Sequence, residues 1–194
     1  MPVQAENVVR SSLPNPEMFA AATFAYHVLT HTLSNSPDIL GEYIQVLMNE
    51  LAERMVIQWL KEHGKCVEPV ADKGATQPDL RHEIWVTDIR GVKVRAAIHT
   101  FLSTNKAEIA DILENHSLSV EVNHICGINF AVVYWLQLRE KPRVKLPSLQ
   151  HAAIIGWVSD KNLREKLQGG QASKYTTIKF SDLRSVEELL QFLV

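Results

Sequence analysis

Asp79, Glu83, Lys93 and Arg95 fall close together between Gln77 and Thr100, with His82 and His99 beside them. Carboxylates hold hard divalent cations, and a cationic side chain beside them can stabilise the charge of a phosphoryl transition state, so the grouping suits metal-assisted hydrolysis. The same residues also suit the wet face of an ordinary sheet, with Lys93 and Arg95 paired to Asp79 and Glu83 across two strands. The choice depends on the elements that carry them.

The stretch reads as a β-hairpin. Arg81 to Thr87 and Val92 to Thr100 are rich in β-branched and aromatic residues, and Asp88-Ile89-Arg90-Gly91 between them has the composition of a tight turn. Two helices precede it. Asn15-Pro16-Glu17 is a helix start with a capping side chain, a proline where its missing donor does no harm and a carboxylate at the positive end of the dipole; that helix runs to about Leu33. Ser36-Pro37-Asp38 repeats the signal, and a second helix follows to His63, ended by Gly64. Leu40, Tyr43, Ile44, Leu47, Met48, Leu51, Met55, Val56, Trp59 and Leu60 give it a broad apolar face. Glu42, Glu50, Arg54 and Lys61 are read as solvated charge, and Glu53 is kept as a candidate site residue.

A short strand, Lys65 to Val70, and a loop, Ala71 to Gln77, lead into the hairpin. After it, Ser103 to His116 has helical spacing, with Thr104 or Asn105 as cap, and Ser119 to Asn123 alternates like a strand. Asn129 to Leu138 is apolar on both faces, as a central strand covered on two sides would be. The basic run Arg139 to Lys145 reads as an exposed turn. A buried strand (His151 to Val158), a short helix from Asp160 through Leu167, a break at Gly169-Gly170, a strand (Tyr175 to Phe180) and a closing helix (Ser181 to Val194, with Leu183, Val186, Leu189, Leu190 and Leu193 inward) complete the chain. Interleaved strands and helices define an α/β (α+β) protein with a mixed sheet flanked by helices. Residues 1–13 lack periodicity and read as a mobile tail, 14–36 as a helical extension and 37–194 as a single α/β domain.

With 194 residues, 46% of them hydrophobic, the chain can bury one core. Residues 1–116 hold 15 acidic and 10 basic side chains and residues 117–194 hold 7 and 10, so the net charge of -2 leaves contact with phosphate backbones to a local patch. Cys66 and Cys126 lack the paired spacing of a zinc site and read as buried free thiols. No stretch has the pattern of a signal peptide or membrane span, so a soluble, cytoplasmic protein without membrane contact is expected. His27 and His31 share a helix face, but no glutamate beside them completes a zinc-protease motif. They, His124 and His151 read as structural, and Trp59, Trp85, Trp135 and Trp157 as core. There is neither a phosphate loop nor a nucleophile elbow.

Three features resemble the restriction-endonuclease-like, or PD-(D/E)XK, superfamily. AERMVIQWLKEHGKCVEPV (Ala52 to Val70) is similar to its opening helix and first strand, with Glu53 at the place of a glutamate about three turns before the glycine. Pro78-Asp79 stands where the family's Pro-Asp begins the second strand. The hairpin then returns as a third strand, followed by a helix and a buried strand, and AAIIGWVSDKNLREKL is similar to the family's later strand-helix element. The resemblance covers roughly Gly41 to Val194 and implies a restriction-endonuclease-like core with an added N-terminal helix.

It also implies a site for Mg²⁺-dependent hydrolysis of double-stranded DNA. Asp79 and possible further ligands Glu53 and Glu83 would hold the ion, with Lys93 or Arg95 stabilising phosphoryl charge and His82, His99 or Asp88 in support. Where the family carries an acid and a lysine two residues apart, this chain has Lys93-Val94-Arg95, so a metal ligand is replaced by a cation. The alternatives are a rearranged nuclease, a silent DNA-associated relative, and a non-catalytic interaction protein that forms a homo-oligomer through its helix pair or a sheet edge.

Overall fold

The computed structural model describes residues 2–32, 37–70, 82–103, 108–135, 149, 151–167 and 174–194. Pro78-Asp79, the Ala71 to Gln77 loop, the Thr104 and Asn105 caps, the basic run from Arg139 to Lys145 and Gly169-Gly170 lie outside the described residues.

The architecture is mixed α/β, in three layers. A six-stranded sheet has the order β1-β7-β6-β4-β3-β2, where β1 is Val9–Ser12, β2 Val67–Pro69, β3 Glu83–Thr87, β4 Lys93–Ser103, β6 Ile128–Trp135 and β7 His151–Ser159. Only the β4–β6 pair is parallel; the other neighbours are antiparallel. Helix α2 (Ile39–Glu62) covers one face, and α1 (Asn15–Thr32) packs against α2. The other face carries α3 (Ile109–Asn115), α4 (Asp160–Leu167) and a two-stranded sheet of β5 (Ser117–Glu121) and β8 (Tyr175–Lys179).

Alternation along each strand divides the core between these layers. Ile84, Val86, Ile98, Phe130, Val132, Tyr134 and Ile154 pack against Met48, Leu51, Met55 and Leu60 of α2. Ala131, Val133, Ile155 and Val158 point the other way, toward Ile112, Leu118, Leu163 and Ile178. The Tyr134 hydroxyl donates to the Met48 carbonyl at 3.1 Å, and burial pushes its ionisation far above the usual phenol range.

The hairpin and the helix start form for the reasons visible in the sequence. Asp88 and Val92 close the turn through a backbone bond of 2.9 Å, and Gly91 has φ +79°, a region that a side chain would penalise. The Asp38 carboxylate caps α2 by accepting from the Gly41 N–H at 3.0 Å, and Gly64 ends the helix with φ +69°.

Several expectations need correction. The polar N-terminus is not a structureless tail: Val9 to Ser12 pairs with β7, and Val3 and Val8 are buried. Alternation is too short there to register as periodicity. Helix α3 is shorter than expected because β4 continues to Ser103; it is capped from Glu108, whose N–H reaches the Asp111 carboxylate at 3.2 Å.

The closing segment is not one helix but two 3₁₀ turns, Phe180–Asp182 and Leu190–Phe192, around the single turn α5 (Val186–Leu189). Its backbone bonds the sheet instead: Arg184 exchanges two bonds with Trp157, at 2.9 and 3.0 Å, and Val194 N donates to Thr87 O at 3.0 Å. Gly156 permits that crossing, since a Cβ there would lie 2.6 Å from the Arg184 carbonyl. The inward set Leu183, Val186, Leu189 and Leu193 is buried as expected, and Leu190 is partly so. Cys126 is buried but Cys66 is exposed, because its short segment lies at the sheet edge. Trp59 and Trp157 are core residues, whereas Trp85 is only half-buried on the face away from α2.

Candidate functional site

Alternation in the hairpin separates the candidate residues. Ile84 and Val86 face α2, so His82, two residues before Ile84, faces it too, while Glu83 points to the opposite side of the sheet. Two polar clusters result.

The first lies at the junction of α1, α2 and the head of β3. Glu50 and Glu53 are one turn apart on α2 and therefore share a face. Both are buried, with 1% and 2% exposure, and the His82 Nδ1 lies 3.2 Å from the Glu53 Oε2. One ligand-capable atom from each of Glu50, Glu53 and His82 falls within 4.8 Å of the others. Arg54 binds this group to α1: its Nε donates to Glu50 Oε1 at 2.8 Å and its Nη1 to Glu17 Oε2 at 2.5 Å. Burial opposes the guanidinium charge, but the bonds to Glu17 and Glu50 outweigh it and hold Arg54 above its ordinary value.

Reading Glu50 as solvated charge is thus corrected. Helix α2 lies between α1 and the sheet, so it buries residues over most of its circumference, including Val46, Met48, Ala52, Met55 and Val56. A signal for this was present: Val46 and Leu47 one turn before Glu50, and Val56 and Ile57 one turn after Glu53, bracket the pair with apolar residues on the same side of the helix.

The second cluster is on the opposite face. Glu83 accepts from Arg95 Nη2 and from the Cys126 thiol, whose sulfur is 3.6 Å from Glu83 Oε1. Asn129, fully buried, ties the 126–129 turn by donating to Cys126 O at 2.7 Å and accepting from Cys126 N at 3.3 Å. The His99 Nε2 lies 3.4 Å from Asn129 Oδ1.

The hairpin therefore brings Arg95 to Glu83, as the cross-strand alternative expected, but not the remaining candidates. Lys93 stands opposite Thr87, four residues along β3 from Glu83 and so on the order of 13 Å away. It pairs with Glu68 of β2 at 2.6 Å. Asp88 is occupied in the turn, accepting from the Arg90 and Val92 N–H groups at 2.9 Å each; these bonds and the Arg90 guanidinium hold its carboxyl below the usual range. Glu53 and Glu83, on opposite faces, do not converge on one ion, so the described part of the Mg²⁺ ligand set does not assemble. Asp79 is outside the described residues.

Desolvation lowers the pKa of His99, and His124 adds to the effect; the Asn129 bond and the Glu83 charge partly offset it. Between the depressed folded value and the ordinary 6.5, the unfolded chain binds a proton at this ring and the folded chain does not, so stability rises with pH across that window. Urea unfolding of wild type should lose stability as pH falls below 6.5, with a smaller loss in His99→Gln. Parallel pH profiles for the two proteins would refute this role.

No protein-family model matches the chain, and no curated protein or solved structure matches it.

Proposed function

We propose that this chain is a divergent restriction-endonuclease-like protein that has lost third-strand catalysis and acts by associating with double-stranded DNA. The observation that carries the loss of catalysis in this reading is the fate of the two third-strand cations; the DNA association comes from the resemblance. Lys93 is held by Glu68 and Arg95 by Glu83, so each serves as the counter-charge of a neighbouring carboxylate rather than facing Glu53. What supports the family reading is the order of elements: a long helix, a strand, the hairpin, a helix, buried strands and a strand-helix unit.

The test pairs binding with cleavage. Wild type should bind a short labelled duplex in fluorescence anisotropy with an affinity that falls as salt rises, and should leave supercoiled plasmid intact with Mg²⁺ or Mn²⁺. Salt-insensitive or absent binding overturns the DNA association, and metal-dependent nicking overturns the loss of catalysis. No described helix is long and apolar enough to cross a membrane.

A second reading, a non-catalytic interaction or homo-oligomeric protein, is favoured by the outer face of α1. Phe19 and Tyr26, seven residues apart on that face, are 77% and 63% exposed, and Leu40 at the start of α2 is 61% exposed. Light scattering during size-exclusion chromatography separates the readings. An oligomer dispersed by Phe19→Ser supports self-association; a monomer removes it.

A further inference from the structure

We propose that Glu50, Glu53 and His82 form a site for a borderline transition ion, of the Mn²⁺, Fe²⁺ or Zn²⁺ class, at the junction of α2 and β3. This goes beyond the DNA-association reading and does not depend on it.

The geometry is that of a mixed oxygen and nitrogen ligand set drawn from two elements. Glu50 and Glu53 present carboxylates from successive turns of one rigid helix, and His82 presents an imidazole from the head of the adjoining strand. Ligands about 2.1 Å from a shared ion lie roughly 3.0–3.4 Å apart. The His82 Nδ1 to Glu53 Oε2 distance is 3.2 Å, and the trio's 4.8 Å spread leaves only small side-chain rotations for Glu50 to close on the same ion. Among the described residues this is the one group of three such donors.

Two features choose the ion. An imidazole donor suits Mn²⁺, Fe²⁺ and Zn²⁺, whereas Mg²⁺ prefers an all-oxygen shell. Mg²⁺ also keeps several waters, and residues only 1%, 2% and 7% exposed leave little space for them. Arg54, fixed by Glu17 of α1, holds Glu50 from outside the trio by its Nε bond at 2.8 Å, which orients one ligand before any ion arrives.

The test uses the full chain stripped with chelator, titrated calorimetrically with MnCl₂, ZnCl₂ and MgCl₂ separately, and with folding checked by circular dichroism. Mn²⁺ or Zn²⁺ should bind at one ion per chain and Mg²⁺ at least about tenfold more weakly. His82→Gln and Glu50→Gln should each weaken binding by about tenfold or more. Pulsed electron paramagnetic resonance on the Mn²⁺ form should show coupling to an imidazole nitrogen that disappears in His82→Gln. Absence of binding to the folded wild type, Mg²⁺ binding as tight as Mn²⁺ and Zn²⁺, or nitrogen coupling that survives in His82→Gln would overturn the proposal. If Glu50→Gln fails to fold, the His82→Gln spectrum decides. DNA binding and nicking are read separately, so failure here leaves the DNA-association reading untouched, and the converse holds.

Discussion

Arg95→Ala is expected to destabilise the folded chain by about 2–3 kcal/mol, an effect far larger than an exposed phosphate-binding arginine would produce. The asymmetry of the pair sets the magnitude. The Glu83 side chain is 8% exposed and Arg95 38%, so removing the guanidinium leaves a carboxylate in a poorly hydrated place with the Cys126 thiol, a weak donor, as one remaining partner. Because Arg95 reaches water, the cost falls below that of a fully buried pair. Glu83→Gln tests the assignment from the other side: in the Glu83→Gln background, Arg95→Ala should cost at least about 1 kcal/mol less than in wild type. Chemical denaturation of the four proteins of this cycle measures the coupling. Additive effects would release Arg95 from its structural role and reopen it as a ligand for substrate.

Phe130→Ala should cost about 4 kcal/mol and lower the thermal midpoint by on the order of 10 °C. Phe130 is fully buried on β6, the strand flanked by β4 and β7, and its ring fills the layer between the sheet and α2. Truncation leaves a cavity that the helix cannot close, since Tyr134 on the same strand is bonded to the α2 backbone at Met48 and resists its approach. A loss under 1 kcal/mol would contradict the packing described for this layer.

The parts of the fold that were legible in the sequence are those governed by local chemistry. Asp88 to Gly91 encodes its turn through an aspartate that binds two backbone N–H groups and a glycine at positive φ, and Asp38 and Gly64 bracket α2 in the same manner. The alternating pattern of the hairpin and the apolar run of β6 likewise give the mixed sheet with helices on its faces. Where a segment's hydrogen bonds go to distant partners, local reading fails. The bonds of Arg184 to Trp157 and of Val194 to Thr87 connect residues far apart in the chain, so helical spacing in the closing segment is misleading. Strand β1 escapes notice for the same reason.

The candidate site divides along the same line. Glu53 and His82, the latter in the hairpin's first strand, could be singled out as candidates, but their meeting depends on how α2 lies across β3. Local spacing hints at the burial of Glu50 but not at its partners, because Arg54 links it to Glu17 of α1, 33 residues earlier in the chain. The separation of Glu83 from Glu53 follows from strand parity once the inward face is known. Sequence places Ile84 and Val86 in a strand without saying which side α2 covers.

The central claim, that the third-strand cations are structural and the chain does not cut DNA by that machinery, is tested most directly by incubating supercoiled plasmid with the wild type and Asp79→Ala, in Mg²⁺ and in Mn²⁺. The expected result is intact plasmid in all four reactions, with both proteins folded by circular dichroism. Nicking by the wild type that requires the metal and vanishes in Asp79→Ala would contradict it and establish a working nuclease site at the head of the hairpin.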